Sequence, residues 1–398
     1  MYGQVFGCCI QGVNGCLVEV EVDISRGLPQ IHLVGLPDSA VRESIDRIRA
    51  AIKNTGFPFP QERVTINLAP ADLRKEGSAF DLAIAAGVLT AIGTLSFAEM
   101  ASTLFIGELS LDGKVRPVPG VLAMTVAAKQ AGFRRVILPA DNAQEASLIS
   151  DIDIFPIRSL VELRNANEAE GLYQRNHSVS DVDAHRDATP YDGALDFSDV
   201  RGQFHAKRAA VIAAAGRHHM LLIGPPGSGK TMIARRLPTI LTAMNEEESL
   251  EVMKIHSIAG KLQPASGLMR TRPFRSPHHT ISAHGLIGGG SVPKPGEVSL
   301  SHHGVLFLDE FPEFSRAALE VLRQPLEDGC VTIARARASY TFPTKFLLAA
   351  AMNPCPCGYA GVKGGKRTCN CSSHRKVQYV AKVSGPLLDR IEDRKSTR

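Results

Sequence analysis

The segment "MLLIGPPGSGKTMIARRL", residues 220–237, constrains the fold more than any other part of this chain. An apolar run typical of a buried strand leads into a glycine-rich turn, and a helix-like segment follows. The turn matches the pattern G-x-x-x-x-G-K-[ST] and consists of Gly224, Pro225, Pro226, Gly227, Ser228, Gly229, Lys230 and Thr231. Glycines here let backbone N–H groups close around phosphate oxygens, and the helix start adds partial positive charge. The pattern predicts an α/β domain that binds ATP, with Lys230 on the β- and γ-phosphates and Thr231 on Mg2+; a purely structural turn is the alternative.

A second apolar strand, in "HGVLFLDEFPEF", ends in two carboxylates, Asp309 and Glu310. Phosphoryl transfer to water needs one group that holds Mg2+ and another that polarises the attacking water. We assign the first role, through water, to Asp309 and the second to Glu310. A third strand, "FLLAAAMNP", ends in Asn353, whose side chain is expected to orient the same water. The alternative is an apolar strand that ends in two solvated acids.

Length and composition favour a soluble chain of two or three domains. Of its 398 residues, 44% are hydrophobic and 21% are charged, and no apolar run is long enough to span a membrane. The N-terminus "MYGQVFGCCIQG" lacks the basic and apolar regions of a signal peptide, so we expect a cytoplasmic protein. The formal net charge of +5 permits nucleic-acid binding but does not argue for it alone.

Alternating strand-like and helix-like patterns divide the chain into two α/β domains. The first covers residues 1–171, and within it residues 38–54 predict a helix that Asp38 caps and whose apolar face carries Val41, Ile45, Ile48 and Ile52. Residues 172–196 are polar and aperiodic, which predicts a linker. The second domain covers residues 197–391.

Four of the eight cysteines cluster in "CPCGYAGVKGGKRTCNC", as Cys355, Cys357, Cys369 and Cys371. Clustered cysteines in a cytosolic chain indicate a metal site before disulfides. Four thiolates satisfy a tetrahedral structural zinc ion, and the loop rich in glycine and lysine can bring the two pairs together. Because C-x-C pairs are less usual than C-x2-C at zinc sites, free thiols and a redox pair remain alternatives. Basic residues around the pairs also raise the hypothesis of a DNA contact.

Long stretches spread over nearly the whole chain resemble the ComM/YifB family of magnesium-chelatase-like AAA+ proteins. They include "GLPQIHLVGLPDSAVRESIDRIRAAI", "DVRGQFHAKRAAVIAAAGRHHMLLIGPPGSGKT", "RPFRSPHHTISAHGLIGGG", "GVLFLDEFPEF", "AAMNPCPCGY" and "SGPLLDR". The resemblance implies a ring-forming ATPase, a hexamer, that acts on branched or single-stranded DNA as a branch-migration helicase in natural transformation and recombination. It also places Asn353 at the sensor position and Arg390 at the arginine finger, which reaches a neighbour's γ-phosphate. A surface salt bridge is the alternative for Arg390.

The family in turn resembles the chelatase ATPase subunit and the minichromosome-maintenance helicases, which carry an extra insert and a hairpin. Here the hairpin corresponds to "GCVTIARARASYTFPTKF", in which Arg335 and Arg337 point to one face of a strand. Facing a ring pore, both would contact DNA phosphates without reading sequence; a solvated edge strand is the alternative. The insert corresponds to "SPHHTISAHGLIGGGSVPKPGEVSL". The histidine pairs in and after it, His278 and His279, and His302 and His303, are interpreted as buried or capping residues.

The first domain resembles the proteolytic domain of Lon, most clearly in "FIGELSLDGKVRPVPGVLAMTVAAKQAGFRRVILPADN". Lon-type proteases use a serine that a lysine activates. Set against the Lon motif, the position of the nucleophile holds Ala79 and that of the lysine holds Leu122, while Ser78 is offset by one residue. We therefore expect a Lon-like domain without protease activity, in which Ser78 caps a helix or packs closely. Ring assembly or DNA contact is the expected role of this domain.

Together with the resemblance, the sequence predicts an α/β chain with an N-terminal Lon-protease-like α/β domain and a P-loop AAA+ α/β/α domain whose helical lid is missing. The final "DRKSTR" can be encoded by the start of a common sequencing adapter, so residues 392–398 are expected to be an artefactual tail. The predicted function is an ATP-dependent DNA motor that uses Mg2+ and, as a further hypothesis, structural zinc. Remodelling of a protein partner by a magnesium-chelatase-type ATPase is the alternative, and an ATP-dependent protease is the least favoured function.

Overall fold

The computed structural model describes residues 1–167, 195–262, 267–290, 293–335, 338–361 and 368–391. Most of the predicted linker, the predicted tail at 392–398 and Arg337 lie outside the described residues. The chain forms two compact units. The first contains residues 1–167 and, so far as they are described, residues 256–268; the second contains the rest. Within the described residues, no helix has both the length and the apolar character needed to cross a membrane.

The first unit is an α/β unit. Its elements are β1 (Tyr2–Gln11), β2 (Asn14–Ser25), β3 (Gln30–Val34), α1 (Ser39–Asn54), β4 (Arg63–Ala69), α2 (Asp81–Ala91), β5 (Thr103–Phe105), β6 (Glu108–Leu109), β7 (Val115–Arg116), α3 (Val121–Gln130), β8 (Arg135–Pro139), α4 (Ala143–Ala146) and β9 (Asp153–Ile157). Seven strands form one mixed sheet in the order β3–β4–β2–β1–β5–β8–β9. Strands β1 and β2 pair as an antiparallel hairpin, whereas β5, β8 and β9 run parallel to β1.

Buried side chains of β1 point to both sides of this sheet, so both of its faces are covered. Val5 and Cys9 belong to a buried cluster with α1 and α2, whereas Cys8 belongs to a second cluster with α3 and α4. Successive side chains of a strand point to opposite faces, so the two clusters lie on opposite sides of the sheet. Helix α2 is buried all round, which fits its nearly uniform apolar sequence "DLAIAAGVLTA".

The helix predicted from residue 38 is confirmed, and a neighbouring prediction needs correction. Asp38 caps α1 by accepting a 2.8 Å hydrogen bond from the N–H of Val41. Helix α2, however, begins at Asp81, and its N-terminus has no side-chain cap, so Ser78 does not cap it. The Ser78 hydroxyl instead donates to the carboxylate of Glu108. The segment "TLFIGELS" contains two short strands, β5 and β6, which belong to different sheets.

The elements after residue 195 build the second α/β fold. They are α5 (Phe204–Gly216), β10 (Met220–Ile223), α6 (Lys230–Arg236), α7 (Glu246–Ile258), β11 (Phe274–Arg275), α8 (Ala283–Ile287), β12 (Gly288–Gly289), β13 (Lys294–Pro295), α9 (Glu297–Leu300), β14 (Val305–Leu308), α10 (Arg316–Glu320), α11 (Arg323–Asp328), β15 (Cys330–Arg335), β16 (Ala338–Pro343), β17 (Leu347–Met352), α12 (Ser373–Val380) and α13 (Gly385–Ile391). Four strands form a parallel sheet in the order β10–β17–β14–β11. The expected hairpin forms from β15 and β16.

The central strands of the second unit are apolar along their whole length. Every residue of β14 and of β17 is buried, as expected for parallel strands that are covered on both faces. Parallel strands place all their carboxyl ends at one edge of a sheet, and ligands of open α/β sheets bind at that edge.

Candidate functional site

Three strands of the second unit bring most of the predicted ATPase residues to one cleft. Strand β10 leads into the glycine-rich loop, β14 ends before Asp309, and β17 ends before Asn353. The cleft between these strand ends has a volume of about 410 Å3. It is lined by Pro226, Gly227, Ser228, Gly229, Lys230, Thr231, Met232, Asp309, Glu310, Met352 and Asn353.

The glycine-rich loop adopts the backbone shape that its sequence requires. Gly227 has φ +77° and Gly229 has φ +88°, which are left-handed conformations that side chains disfavour. A Cβ atom at either position would meet no protein atom within 4 Å. Because both glycines also line the cleft, the loop has room for phosphate oxygens to approach its backbone N–H groups.

Lys230 is the first residue of α6, and its side chain reaches back to the start of this loop. Its ammonium donates to the carbonyl oxygens of Gly224 at 2.7 Å and Pro225 at 3.0 Å, and to Oδ1 of Asn353 at 3.2 Å. Burial lowers the pKa of Lys230, an effect that the charge of Asp309 opposes. All three acceptors are neutral, and a charged phosphate oxygen accepts a stronger hydrogen bond from an ammonium than they do. The lysine is therefore positioned to exchange these contacts for a phosphate.

Thr231 and Asp309 form the candidate Mg2+ site. The Thr231 hydroxyl donates a 2.7 Å hydrogen bond to Oδ2 of Asp309, so the two oxygens already lie side by side. Hydroxyl and carboxylate oxygens are the hard ligands that Mg2+ takes, usually completed by water and substrate phosphates. The donor set thus fits the ion, which would neutralise phosphate charge when bound with ATP.

Glu310 has an unusual backbone and a partner that the sequence did not predict. Its φ is +52°, and its N–H donates a 2.9 Å hydrogen bond to Oδ1 of Asp309. Such conformations in a residue other than glycine concentrate at functional sites. The carboxylate is 56% exposed, and its Oε2 lies 3.1 Å from Nδ1 of His279, which comes from the insert. An exposed carboxylate at the rim of the cleft can accept a proton from water.

The two histidine pairs differ in burial and in the contacts that they make. His302 and His303 are buried, as expected, and both approach Oε2 of Glu251, at 3.0 and 2.8 Å. Nδ1 of His302 accepts the backbone N–H of Lys345 at 3.0 Å, so the neutral ring carries its hydrogen on Nε2 and donates it to Glu251. His278 is exposed, and its Nδ1 accepts the backbone N–H of Thr280 at 3.4 Å, which is a capping contact. His279 is half-buried against Glu310.

The four clustered cysteines converge. Sulfur–sulfur distances are 3.3 Å between Cys355 and Cys357, 3.8 Å between Cys355 and Cys369, and 3.7 Å between Cys357 and Cys369. With Cys371, all four sulfurs lie within 4.8 Å of one another. Tetrahedral zinc with bonds of about 2.3 Å would separate its sulfurs by roughly 3.8 Å. The arrangement fits a structural zinc ion.

A contact between the cysteine loop and the P-loop was not anticipated from the sequence. Gly358 packs so closely on Pro226 that a Cβ there would lie 2.7 Å from Pro226 Cδ. Gln203 is a second unanticipated neighbour, because its side-chain amide donates a 3.2 Å hydrogen bond to the carbonyl of Ser228. No local pattern marks either residue, since each acts through a contact distant in sequence.

Of the predicted arginines, the two that lie within the described residues, Arg335 and Arg390, do not line the cleft. Arg390, on α13, forms an ion pair with Glu327 of the same chain and does not line the cleft. Arg335 ends β15 and is exposed, with one Nη2 hydrogen bond of 3.0 Å to the carbonyl of Gly290. The position of Arg337 is outside the described residues, so its expected alignment with Arg335 stays a prediction.

The Lon-like positions of the first unit hold apolar side chains in its core. Ala79 and Leu122 are both buried. Lys75, the nearest lysine to Ser78, is fully buried and donates to the carbonyl of Pro70. Ser78 itself is engaged by Glu108. Ser78 and Lys75 thus have separate hydrogen-bond partners and do not form a serine–lysine pair with each other.

Comparison with known proteins assigns this chain to a family. Residues 196–396 match the family model "Magnesium chelatase, subunit ChlI", and residues 20–142 match "Subunit ChlI of Mg-chelatase". Competence protein ComM of Haemophilus influenzae is 44% identical over 392 residues, which cover 98% of this chain and 75% of ComM. YifB of Escherichia coli is 42% identical over 381 residues, which cover 96% of this chain and 73% of YifB.

The N-terminal part has a further likeness. Lon protease 2 of Bacillus subtilis is 28% identical over 180 residues, which cover 40% of this chain and 32% of that protease. This agrees with the Lon-like fold that the sequence predicted for the first unit. With one family model over half of its residues and relatives over nearly all of them, the chain belongs to the ComM/YifB family of magnesium-chelatase-like AAA+ ATPases, with a Lon-like N-terminal unit.

Proposed function

We propose that this chain is an ATP-driven DNA motor that works as a ring, a branch-migration helicase of the kind that the family resemblance implies.

 The observation that carries the proposal is the cleft in which Lys230, Thr231, Asp309, Glu310 and Asn353 meet. Support for DNA as the partner comes from the exposed arginine of the β15–β16 hairpin and from the printed name of a relative, competence protein ComM.

Each cleft residue has a role in ATP hydrolysis. The P-loop backbone and Lys230 bind and orient the phosphates, and the Thr231 and Asp309 oxygens would hold Mg2+. Glu310 accepts a proton from the attacking water, which is a general-base role. Asn353, already a hydrogen-bond acceptor from Lys230, orients that water through its amide. Positioning and charge stabilisation supply most of the catalysis in such sites.

DNA contact is proposed for the tip of the hairpin. Arg335 is exposed, and its guanidinium donates to a neutral carbonyl, so it can exchange that contact for a phosphate without breaking an ion pair. Contacts of this type bind DNA without regard to sequence. A motor that moves along DNA needs such contacts, because it must hold every sequence equally well. We extend the proposal to Arg337, which occupies the same hairpin in the sequence.

We propose a ring, with the six chains that the family resemblance implies, because no arginine among the described residues lines the cleft. An arginine from a neighbouring chain can stabilise the charge of the transition state. Arg390 is the proposed finger, and in a ring it would exchange Glu327 for a neighbour's γ-phosphate.

We also propose a structural zinc ion on Cys355, Cys357, Cys369 and Cys371, because their sulfur spacing fits a tetrahedral site.

The match to the family model "Magnesium chelatase, subunit ChlI" supports a second candidate function, in which the same ATPase remodels a protein partner. That function needs the cleft but not the hairpin arginine.

The test is ATP hydrolysis with and without branched DNA, measured on the wild-type chain and on Arg335→Ala. An exposed arginine elsewhere in the second unit, Arg316, provides the matched control Arg316→Ala. We expect DNA to stimulate hydrolysis, and Arg335→Ala to reduce the stimulation while basal hydrolysis stays unchanged. Hydrolysis that is indifferent to DNA would reject the motor and favour remodelling of a protein. Equal losses in both variants would reject the role of the hairpin.

A further inference from the structure

The cysteine cluster lies next to the ATP cleft, because the turn beside its first two thiols packs on a residue that lines the cleft. Cys355 follows the sensor residue Asn353 by two positions, and the N–H of Gly358 closes a turn on the carbonyl of Cys355 at 2.9 Å. A Cβ at Gly358 would lie 2.7 Å from Cδ and 2.9 Å from Cγ of Pro226, a residue that lines the cleft. The turn that carries the first two thiols therefore packs directly against the phosphate-binding loop.

The second pair of cysteines is connected to the same place through α12. Ser372, next to Cys371, caps this helix by accepting a 3.3 Å hydrogen bond from the N–H of Arg375. The helix carries the buried Tyr379, whose hydroxyl lies near the backbone of Asn353. Both cysteine pairs thus adjoin segments that contact Asn353, and Asn353 in turn contacts Lys230.

The cysteine segment has little regular structure to hold it in place. Its described residues between β17 and α12 form neither helix nor strand. Ordering such a loop costs conformational entropy, which a cross-link within the loop reduces. Zinc bound by four thiolates is a cross-link of this kind, and its binding free energy contributes directly to the folding of the loop.

We infer that zinc on Cys355, Cys357, Cys369 and Cys371 holds the P-loop and the sensor residue in their ATP-binding arrangement, so that zinc occupancy controls ATP affinity. The inference rests on the ATP and zinc sites proposed above and adds a dependence of the first on the second. Two connections would transmit the effect of zinc to the ATP cleft: the contact of Gly358 with Pro226, and the short chain segment from Cys355 to Asn353. Agents that take zinc or oxidise the thiols would then weaken ATP binding without touching the cleft.

The first experiment compares the chain with and without zinc. Zinc per chain is measured by elemental mass spectrometry, and ATP affinity by titration with a fluorescent ATP analogue in excess Mg2+ and without DNA. Zinc is then displaced with a mercurial thiol reagent, which is removed with dithiothreitol before the second titration. We expect one zinc ion per chain, at least a tenfold loss of affinity on its removal, and recovery when zinc is returned. The variant Cys330→Ser controls for a thiol outside the cluster.

A second experiment tests the contact of Gly358 with Pro226 while leaving all four thiols in place. Gly358 and Gly361 have similar backbones, with φ +85° and +78°, so an alanine is strained at both. Only at Gly358 would the added Cβ collide with Pro226, because at Gly361 it would meet nothing within 4 Å. We expect Gly358→Ala to keep its zinc and lose ATP affinity several-fold more than Gly361→Ala, with circular dichroism spectra that match the wild type.

The outcomes separate this inference from the proposed motor. Absence of zinc, unchanged ATP affinity after its removal, or equal affinities of the two glycine variants would each overturn it. Because ATP binding is measured without DNA, a chain that binds ATP in a zinc-dependent way but ignores DNA counts against the motor alone. A zinc-loaded wild-type chain that binds no ATP would reject both.

Discussion

The hydroxyl of Thr231 donates a 2.7 Å hydrogen bond to the carboxylate of Asp309, although the two residues follow different strands of the parallel sheet. Strand β17 lies between those strands, so the bond spans the middle of the carboxyl edge. It aligns two oxygens that would otherwise be free to rotate. The candidate Mg2+ site is thus partly assembled by the protein alone, which reduces the ordering that ion binding requires.

Removal of this hydroxyl should weaken Mg2+ binding more than ATP binding. Hydrogen bonds to charged groups contribute about 1.5–3 kcal/mol, so Thr231→Ala is expected to raise the Mg2+ concentration for half-maximal hydrolysis roughly 10- to 100-fold. Thr231→Ser keeps the hydroxyl and serves as the control, with a change of no more than a few-fold. Hydrolysis is measured against Mg2+ at saturating ATP. Similar Mg2+ requirements for the two variants would reject the assignment.

Glu310→Gln should abolish hydrolysis and spare binding. The amide keeps the size of the side chain but cannot take a proton from water, and loss of a general base costs about 10²- to 10⁴-fold in rate. The control is Glu313→Gln, because Glu313 forms a surface ion pair with Lys382 at 3.0 Å and does not line the cleft. Such a pair contributes at most about 1 kcal/mol. Phosphate release and ATP affinity are measured on the same preparations. A Glu310→Gln chain that still hydrolyses ATP would show that Glu310 is not the general base.

The sequence predicted the parts of this site that depend on local chemistry. The P-loop follows from glycines that need left-handed backbone, and the neighbouring strands from apolar runs that end in polar residues. Helix α1 was predicted correctly for the same reason, since both its cap and its apolar face are local features. The prediction that Ser78 caps a helix was wrong, because the Ser78 hydroxyl finds its partner, Glu108, in a different element.

Contacts between distant segments could not be predicted. Nothing near His279 in the sequence indicates that its ring reaches Glu310, and nothing near Gly358 indicates that it packs on Pro226. Both contacts depend on how the loops at the carboxyl edge fold over one another. The relative positions of the four sulfurs could not be predicted either, because the C-x-C spacing is compatible with several geometries.

Mixing of inactive variants should reveal an arginine that acts between chains. Arg390→Ala and Glu310→Gln are each expected to be inactive, for different reasons. In a mixed ring, an Arg390→Ala chain with an intact Glu310 can receive Arg390 from a Glu310→Gln neighbour. Random mixing in equal amounts should restore roughly a quarter of the wild-type rate, because each competent interface needs one chain of each kind in the right order. Mixtures that stay inactive would show that Arg390 does not act in this way.

The buried His302 should make the stability of the second unit sensitive to acid. Burial lowers its pKa to about 4 even though the hydrogen bond to Glu251 opposes the shift, and His303 and Lys345 add to the lowering. Burial raises the pKa of Glu251, but the hydrogen bonds from both histidines outweigh that effect, so the pKa of this carboxyl is lowered as well. The folded chain therefore binds fewer protons than the unfolded chain between the ordinary histidine pKa, about 6.5, and the folded value.

Stability should accordingly be lost as the pH falls through this window, by about 2 kcal/mol from His302 alone between pH 7 and pH 5. The variant His302→Asn keeps an acceptor for the N–H of Lys345 but cannot titrate, so its stability should fall less over the same range. His205→Asn, at an exposed position, is the control and should follow the wild type. Urea unfolding followed by circular dichroism at several pH values measures all three. Parallel pH curves for His302→Asn and the wild type would mean that this histidine is not buried in its neutral form.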